Sequence, residues 1–326
     1  MIILTAQAEE WPLAKAFGIS RGSKTSAHVV IVKINDGAHT GAGECVPYAH
    51  YGETIESVLA EIETVRSAIE NGANQYALLD LLPAGAARNA IDCALWDLHA
   101  KQKSKPVWQL LSLPEPKAVT TAYTLGLDTP EAMQKAAEEN AHRPLLKIKL
   151  GNEGDSARLA AIRQGAPSSR LIVDANEGWQ ATEAIQLAAD LQRYGVDLIE
   201  QPLPADADDA LRTIKSPIPF CADESCHTSK DLARLIPLYQ AVNIKLDKTG
   251  GLTDAVQLAK AAKAAGLSIM IGCMVGTSLG MAPALLLASF AKYIDLDGPL
   301  LLAKDRAPGL VYDGSTLKPC TSDIWG

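Results

Sequence analysis

Two short apolar runs carry lysine where a buried strand would ordinarily stay apolar: Lys147 and Lys149 in LLKIKL (145–150), and Lys245 in AVNIKL (241–246). Between them, three comparable runs bring acids: Asp174 in RLIVDA (170–175), Glu200 in VDLIEQ (196–201) and Asp223 in PFCADE (219–224). Side chains of a strand alternate with a period of two. Lys147 and Lys149 therefore share a face, as do Asn243 with Lys245, and Asp295 with Asp297 in KYIDLD (292–297). On neighbouring strands the three acids would converge with no Cys or His supplied, a donor set for Mg²⁺, with Mn²⁺ as its substitute, rather than for zinc. Singly, each residue has an ordinary explanation. A strand-end Asp caps the next helix or turns the chain, and a strand Lys sits at a rim with its head in water. Together, charges at positions flanked by apolar residues are costly unless a metal or ligand compensates them.

The elements that must position them repeat. AVTTAYTL (118–125), the five runs above, LSIMIG (267–272) and KYIDLD make eight candidate strands. Their spacing of roughly 20–27 residues leaves room for a helix between each pair. Helical patterns cover 182–194, ending at Gly195; 228–239, opening on a Thr-x-x-Asp cap; and 253–265, ending at Gly266. This alternation predicts an α/β fold, a TIM-type barrel over 116–299 with its chemistry at the C-terminal strand ends. An open doubly wound sheet is the alternative. Residues 1–115, with a clear strand at HVVIVKIND (28–36) and helical patterns over 53–70 and 86–100, read as an α+β capping domain. The turn-rich tail, 300–326, is expected to pack back on that domain.

Composition narrows the function. Thirty Lys and Arg against thirty-eight Asp and Glu give a net charge of −8, with no basic stripe for nucleic acid or an anionic membrane surface. Apolar stretches such as Ala284–Ala288 fall far short of the roughly 20 residues of a membrane span. The N-terminus lacks the pattern of a signal peptide, and Cys45, Cys93, Cys221, Cys226, Cys273 and Cys320 follow no framework spacing, so a reduced, cytoplasmic location is expected. Cys221, Cys226 and His227 read as packing rather than a metal cluster, and GAGE (41–44) is too short for a nucleotide fingerprint.

The segments KIK (147–149), DANEGW (174–179), EQPL (200–203), ADES (222–225), NIKLDKTGG (243–251) and AARNAIDCALWDL (86–98) resemble the enolase superfamily, in its muconate-lactonizing-enzyme-like subgroup. The likeness spans essentially the whole chain, and DLDGP (295–299) looks like the dipeptide epimerases. The resemblance implies a (β/α)7β barrel and Mg²⁺-dependent epimerisation of a dipeptide such as L-Ala-D/L-Glu at the glutamate α-carbon, through an enolate, in the salvage of cell-wall peptides. It implies that Asp174, Glu200 and Asp223 hold the metal and that Lys149 and Lys245 are opposed acid–base groups. Lys147 would be a charge partner of the enolate oxygen, and metal and Lys147 together would lower a lysine pKa. Asp295 and Asp297 would bind the dipeptide's α-ammonium, and Arg21, on the loop 18–26, or else Lys24, the glutamate side-chain carboxylate. Thr124, Cys273 and Met274 are expected at the substrate's carboxylate or peptide group, with Asn176 and Asn243 orienting acids and lysines behind them. Homo-oligomerisation stays open. So do a cycloisomerase or o-succinylbenzoate-synthase reaction, which shares the two lysines but has no evident use for Asp295 and Asp297, and a Schiff-base lysine enzyme, which leaves three carboxylates unemployed. A non-catalytic binding module would not require the lysines.

Overall fold

The computed structural model describes residues 1–151 and 153–326. The β-branched run ending at Asn35 is the middle strand of an antiparallel sheet made of β1 (Ile3–Ile19), β2 (Gly22–Asn35) and β3 (Thr40–Cys45). It is apolar on both faces because both are covered. Val30, Val32 and Ile34 pack with residues of two helices, α1 (Ile55–Glu70) and, beyond the short α2 (Leu78–Leu81), α3 (Ala86–Lys103); Val29 and Ile31 join the larger core of the barrel. A helical turn, α4 (Val107–Leu110), follows. The GAGE segment serves contact with α3. A Cβ at Gly41 or Gly43 would lie 2.1 or 2.2 Å from the carbonyl oxygen of Ala94 or Ala90, so only glycine fits.

After β4 (Val119–Thr120), eight parallel strands follow in sequence order: β5 (Tyr123–Leu125), β6 (Leu145–Lys149), β7 (Arg170–Asp174), β8 (Val196–Glu200), β9 (Phe220–Ala222), β10 (Ala241–Ile244), β11 (Ser268–Ile271) and β12 (Tyr293–Ile294). The two edges meet: the Ala122 N–H donates to the Ile294 carbonyl at 2.8 Å, so the sheet closes into a barrel and is not an open doubly wound sheet. One inward residue per strand, or from its lead-in, builds a single buried cluster of Ala122, Leu145, Ile172, Leu198, Cys221, Ala241, Met270 and Tyr293. Two residues further along each strand, on the same face, stand Thr124, Lys147, Asp174, Glu200, Asp223, Asn243, Gly272 and Asp295. One register therefore sets both the apolar plug and the polar layer above it.

Helices α5 (Pro130–Glu139), α6 (Asp155–Gly165) and α7 (Ala181–Arg193) follow β5, β6 and β7. The alternation is less regular than expected beyond them. Only a 3-10 segment, Asp208–Thr213, joins β8 to β9, in a stretch holding Pro202, Pro204, Pro217 and Pro219. The pattern over 228–239 yields only a 3-10 turn and the short α8 (Leu232–Leu235), because Pro237 cannot continue a helix. The remaining helices are α9 (Leu246–Thr249), α10 (Leu252–Ala264), α11 (Ser278–Leu285) and α12 (Gly298–Leu301). The run 118–125 also divides: β4 leaves the barrel to pair with a tail hairpin, β13 (Tyr312–Asp313) and β14 (Thr316–Leu317). The chain end reaches α3, where the Trp325 indole donates to the Cys93 carbonyl.

Polar groups join α3 to the barrel. Arg88 donates to the carbonyls of Thr249 and Gly250 and pairs with Asp254 at 2.7 Å. Asp92 accepts the Thr253 N–H at 3.0 Å, capping α10, whose own N-cap residue, Gly251, has no side chain to do so. Among the described residues no helix is long and apolar enough to cross a membrane.

Candidate active site

Lys149, Asp174 and Glu200 are cross-strand partners in one row at the carboxyl edge of the barrel, continued by Asp223 just past β9 and Lys245 just past β10. In a closed eight-stranded sheet β6 and β10 are four strands apart, so the two lysines enter from opposite sides with the acids on the arc between. Each lysine holds the nearer end of that arc. Lys149 Nζ lies 2.6 Å from Asp174 Oδ2, and Lys245 Nζ lies 2.6 Å from Asp223 Oδ2. Lys147 occupies the centre, 3.0 Å from Asp174, 2.7 Å from Glu200 and 2.8 Å from Asp295.

Burial opposes every charge here, and the partners decide which survive. Burial disfavours the Lys147 ammonium, but Asp174, Asp295 and Glu200 outweigh it and hold the group well above the usual lysine range; Asp223 and Glu200 do the same for Lys245. With carboxylates as the nearest charges both ammonium groups are favoured; the lowering expected from sequence concerns a lysine beside bound Mg²⁺. Burial would likewise raise Asp174 and Asp223, yet the ammonium groups of Lys147 and Lys149 around one, and of Lys245 and Lys248 around the other, hold both below the carboxylate range. Glu200 goes the other way, pushed up to about 7 by burial and by Asp174.

No group of three or more His, Cys, Asp or Glu side chains among the described residues is already gathered as a ligand set; lysine ammonium groups lie between the acids. The chemistry nonetheless fits a hard cation. The donors are carboxylates alone, brought to one edge of the barrel by neighbouring strands. Among the described residues Glu200 Oε2 has no hydrogen-bond partner, although it is paired with the Lys147 ammonium at 2.7 Å.

Asn243 orients this set as expected, donating to Glu200 Oε1 at 2.7 Å. Gly272 leaves it room, since a Cβ there would stand 2.6 Å from Asn243 Oδ1. Asn176 holds Asp174 only through its backbone N–H, at 2.9 Å, while its side chain faces Glu224 at 3.3 Å. Across the barrel seam, Asp297 Oδ2 accepts the Thr124 N–H at 2.6 Å and Asp295 Oδ1 lies 3.5 Å from the Thr124 hydroxyl. Burial and Asp295 push the Asp297 carboxyl up to about 7. Thr124, Lys147, Lys149, Lys245, Cys273, Met274, Asp295 and Asp297 all line one cavity, closed on its apolar side by Phe17, Val275 and Leu301.

Arg21 and Lys24 lie outside that lining. Arg21 is engaged by the barrel, donating to the Asn176 carbonyl (2.8 Å), Glu177 (3.2 Å), the Tyr48 hydroxyl (3.0 Å) and Glu224 (2.8 Å). Lys24 makes no ion pair among the described residues and sits 5.3 Å over the Tyr48 ring. Sequence reasoning missed Glu224, Gln201 and Lys248. Glu224 reads as the solvated neighbour of Asp223, and Gln201 as a polar residue after a strand. Lys248 carried a signal, since three residues past Lys245 on a helical turn returns a side chain to the same side. Cys221 and Cys226 are buried in the core and His227 stacks edge-on with Tyr51 at 4.6 Å, in agreement with packing roles.

Known proteins resemble this chain along its length. Residues 1–112 match the N-terminal domain of the mandelate racemase / muconate lactonizing enzyme family, and residues 129–300 match its enolase C-terminal domain-like partner. An L-Ala-D/L-Glu epimerase of Escherichia coli (strain K12) is 47% identical over 309 residues, covering 93% of this chain and 95% of that protein. An N-acetyl-D-glutamate racemase of a Pseudoalteromonas species is 48% identical over 300 residues, covering 91% and 95%. An enolase family member from Agrobacterium tumefaciens with homology to dipeptide epimerases, crystallised with sodium and L-Ala-L-Glu, superposes with a TM-score of 0.98 at 50% identity, covering 100% of both chains. A dipeptide epimerase from Enterococcus faecalis V583, complexed with Mg and L-Leu-L-Tyr, gives a TM-score of 0.90 at 31% identity, covering 98% and 97%. With both domains matched and the barrel closed around opposed lysines, the chain belongs to the enolase superfamily, in its mandelate racemase and muconate lactonizing enzyme branch.

Proposed function

We propose that this chain is an L-Ala-D/L-Glu epimerase, carried by one observation: Lys149 and Lys245 face each other across the acid arc from strands half a barrel apart. Epimerisation removes the glutamate α-proton on one face and returns a proton on the other, which needs a base and an acid on opposite sides of one carbon. One lysine, as the amine, takes the proton as the C–H bond breaks and its electron pair moves into the carboxylate. The other, as the ammonium, delivers a proton to the opposite face, and the two leave with their protonation states exchanged. Lys147 places a positive charge beside the carboxylate where negative charge develops.

Asp174, Glu200 and Asp223 would hold Mg²⁺, with Mn²⁺ as a substitute. When bound, the ion supplies a positive charge that stabilises the doubly charged carboxylate of the enolate. Asp295 and Asp297 would take the dipeptide's α-ammonium at the barrel seam, and the apolar wall of Phe17, Val275 and Leu301 borders the same cavity. Arg21 or Lys24 would meet the glutamate side chain; Arg21 must exchange Glu177 or Glu224 for it. Cys273 and Met274 would border the peptide group. The six cysteines are free, in keeping with a reduced, cytoplasmic setting, and an L-Ala-D/L-Glu substrate would suit salvage of cell-wall peptides.

The racemase from Pseudoalteromonas favours a second reading, in which the substrate is an N-acylated glutamate without an ammonium. Proton NMR with L-Ala-L-Glu and Mg²⁺ in D₂O, beside an EDTA control and N-acetyl-L-glutamate, separates the two. Loss of the glutamate α-proton signal with appearance of L-Ala-D-Glu, both stopped by EDTA, is the expected result. Exchange on N-acetyl-L-glutamate alone would move the substrate class, and silence on both would overturn the epimerase reading.

A further inference from the structure

Two buried residues that take no part in proton transfer converge on Asp223. Gln201 is wholly buried and holds a left-handed backbone, φ +31°, a strained conformation for a side-chain-bearing residue. Its backbone N–H donates to the Cys221 carbonyl at 2.8 Å and its own carbonyl accepts the Glu177 N–H at 2.9 Å. Its side-chain Oε1 accepts the N–H groups of Asp223 (2.9 Å) and Ser225 (3.2 Å). The residue directly after Glu200 therefore touches the turns beyond both Asp174 and Asp223.

The far end of the amide fixes its orientation. Nε2, with two protons to share, faces three acceptors, the Leu203 carbonyl (2.9 Å), Ser225 Oγ (2.8 Å) and the Tyr239 hydroxyl (3.0 Å). Ser225 and Tyr239 give their own protons to Asp208 Oδ2, at 2.6 and 3.0 Å, and Arg234 holds the other oxygen of Asp208. Only acceptors then face Nε2 and only donors face Oε1, so a glutamate of the same shape would set a carboxylate against three oxygens.

Lys248 grips Asp223 from the other side. Its side chain is wholly buried, and its Nζ donates to Asp223 Oδ1 (2.6 Å), the Asp223 carbonyl and the Asn243 carbonyl (3.0 Å). An ammonium has three protons, and all three are committed, which leaves Lys248 with none to exchange. By taking both the carbonyl and Oδ1 of one residue it fixes the Asp223 side chain, so that Oδ2 is the oxygen presented to Lys245 and the arc.

We infer that Gln201 and Lys248 are positioning residues, which together hold Asp223 in register with Asp174 and Glu200 for a divalent cation. This rests on the metal role proposed above for the three acids. The two readings separate in one experiment, titration of the metal-free enzyme with Mn²⁺ followed by calorimetry without substrate. Wild type is compared with Lys248→Met, which keeps the stem and removes the charge, and with Gln201→Glu and Ser225→Ala. Partners behind metal ligands typically contribute about 10–100-fold to affinity. Lys248→Met and Gln201→Glu are expected to weaken Mn²⁺ within that range, and Ser225→Ala, which loosens only the far end of Gln201, by a smaller factor. High Mn²⁺ should restore kcat in each, which a merely structural defect would not allow. Wild type without Mn²⁺ binding would remove the metal reading itself. Wild type that binds, beside a folded Lys248→Met of unchanged affinity, would overturn the positioning role while leaving the metal reading intact. Should Lys248→Met or Gln201→Glu not fold, Ser225→Ala decides: unchanged affinity there overturns the inference for Gln201, and with it the paired clamp.

Discussion

Asp297→Asn separates recognition of the ammonium from the proton transfer. Asp297 is 4% exposed, and its Oδ2 accepts the Thr124 N–H at 2.6 Å. An amide keeps an oxygen for that N–H, so the seam stays closed while the negative charge is lost. Asp295 cannot replace that charge in full, because Lys147 already lies 2.8 Å from it. Losing one member of a buried, hydrogen-bonded charge pair costs about 2–5 kcal/mol, which is about 30- to 5,000-fold in kcat/KM for L-Ala-L-Glu. The pH dependence tests the same point. Burial and the neighbouring Asp295 push this carboxyl up to about 7. Only its ionised form attracts an ammonium, so wild-type Kd should weaken about tenfold per unit below neutrality, and the variant should show no such slope. Stability moves in the opposite direction. The folded pKa of about 7 lies above the unfolded value near 3.9, so the folded state binds the proton more tightly across that window. The contribution of this carboxyl to stability is full at low pH and lost as pH rises through the folded value. Asp297→Asn should therefore raise Tm above neutrality and lose that advantage under acid conditions. Calorimetry of dipeptide and of Mn²⁺ across this range, with Tm beside it, decides the matter. Dipeptide and metal affinities falling equally, or a slope that survives the substitution, would refute the ammonium assignment.

Lys149→Ala and Lys245→Ala should each abolish net epimerisation, by about 10²–10⁴-fold or more, while retaining deuterium exchange at the α-carbon of one epimer; full epimerisation by either variant would sink the two-base scheme. Asp92→Ala removes the cap that α3 lends to α10 and should cost about 0.5–2 kcal/mol, read as a lower urea midpoint with an unchanged m value; an unchanged midpoint would make the contact dispensable. Gly272→Ala sets a Cβ 2.6 Å from Asn243 Oδ1 and should push Asn243 off Glu200, weakening Mn²⁺ binding by about tenfold; wild-type affinity would show that Asn243 does not orient that acid.

The period-two alternation was legible because it is local, and it put Lys147 with Lys149, Asn243 with Lys245 and Asp295 with Asp297 on shared faces, while the barrel pattern brought the three acids to the same strand ends. What it could not place were groups whose partners are distant in the chain. Arg88 and Asp92 sit on an apparently amphipathic helix, yet their partners, Asp254 and Thr253, are more than 150 positions away and turn that polar face into an interface. The segment 228–239 has helical periodicity, but Pro237 overrules it, and periodicity alone does not weigh a single ring. Arg21 could be named as a loop cation near the site, but not as one whose donors already hold Asn176, Glu177, Tyr48 and Glu224. How many carboxylates crowd Lys147 likewise depends on a barrel diameter that no local pattern contains.

Barrel closure also divides the labour of the site. The bases must stand on opposite sides of one carbon, and a closed sheet of eight strands offers such pairs only four strands apart, as β6 and β10 are. Their distances to the acids are set within ladders that run from β6 through β10, with one register shift between β7 and β8 at Leu171/Ile172. The seam between β12 and β5 is different. There the ladder thins to the bond from the Ala122 N–H to the Ile294 carbonyl, and side chains continue it: the Thr121 hydroxyl accepts the Leu296 N–H at 2.9 Å, and Asp297 accepts the Thr124 N–H. A carboxylate that substitutes for a backbone acceptor can be exchanged for another acceptor without unpairing the strands that carry the lysines. Changes at the seam should therefore alter which substrates are recognised while leaving the two-base chemistry in place, whereas a one-residue slip anywhere from β6 to β10 would turn acids and lysines into the helix layer and end both.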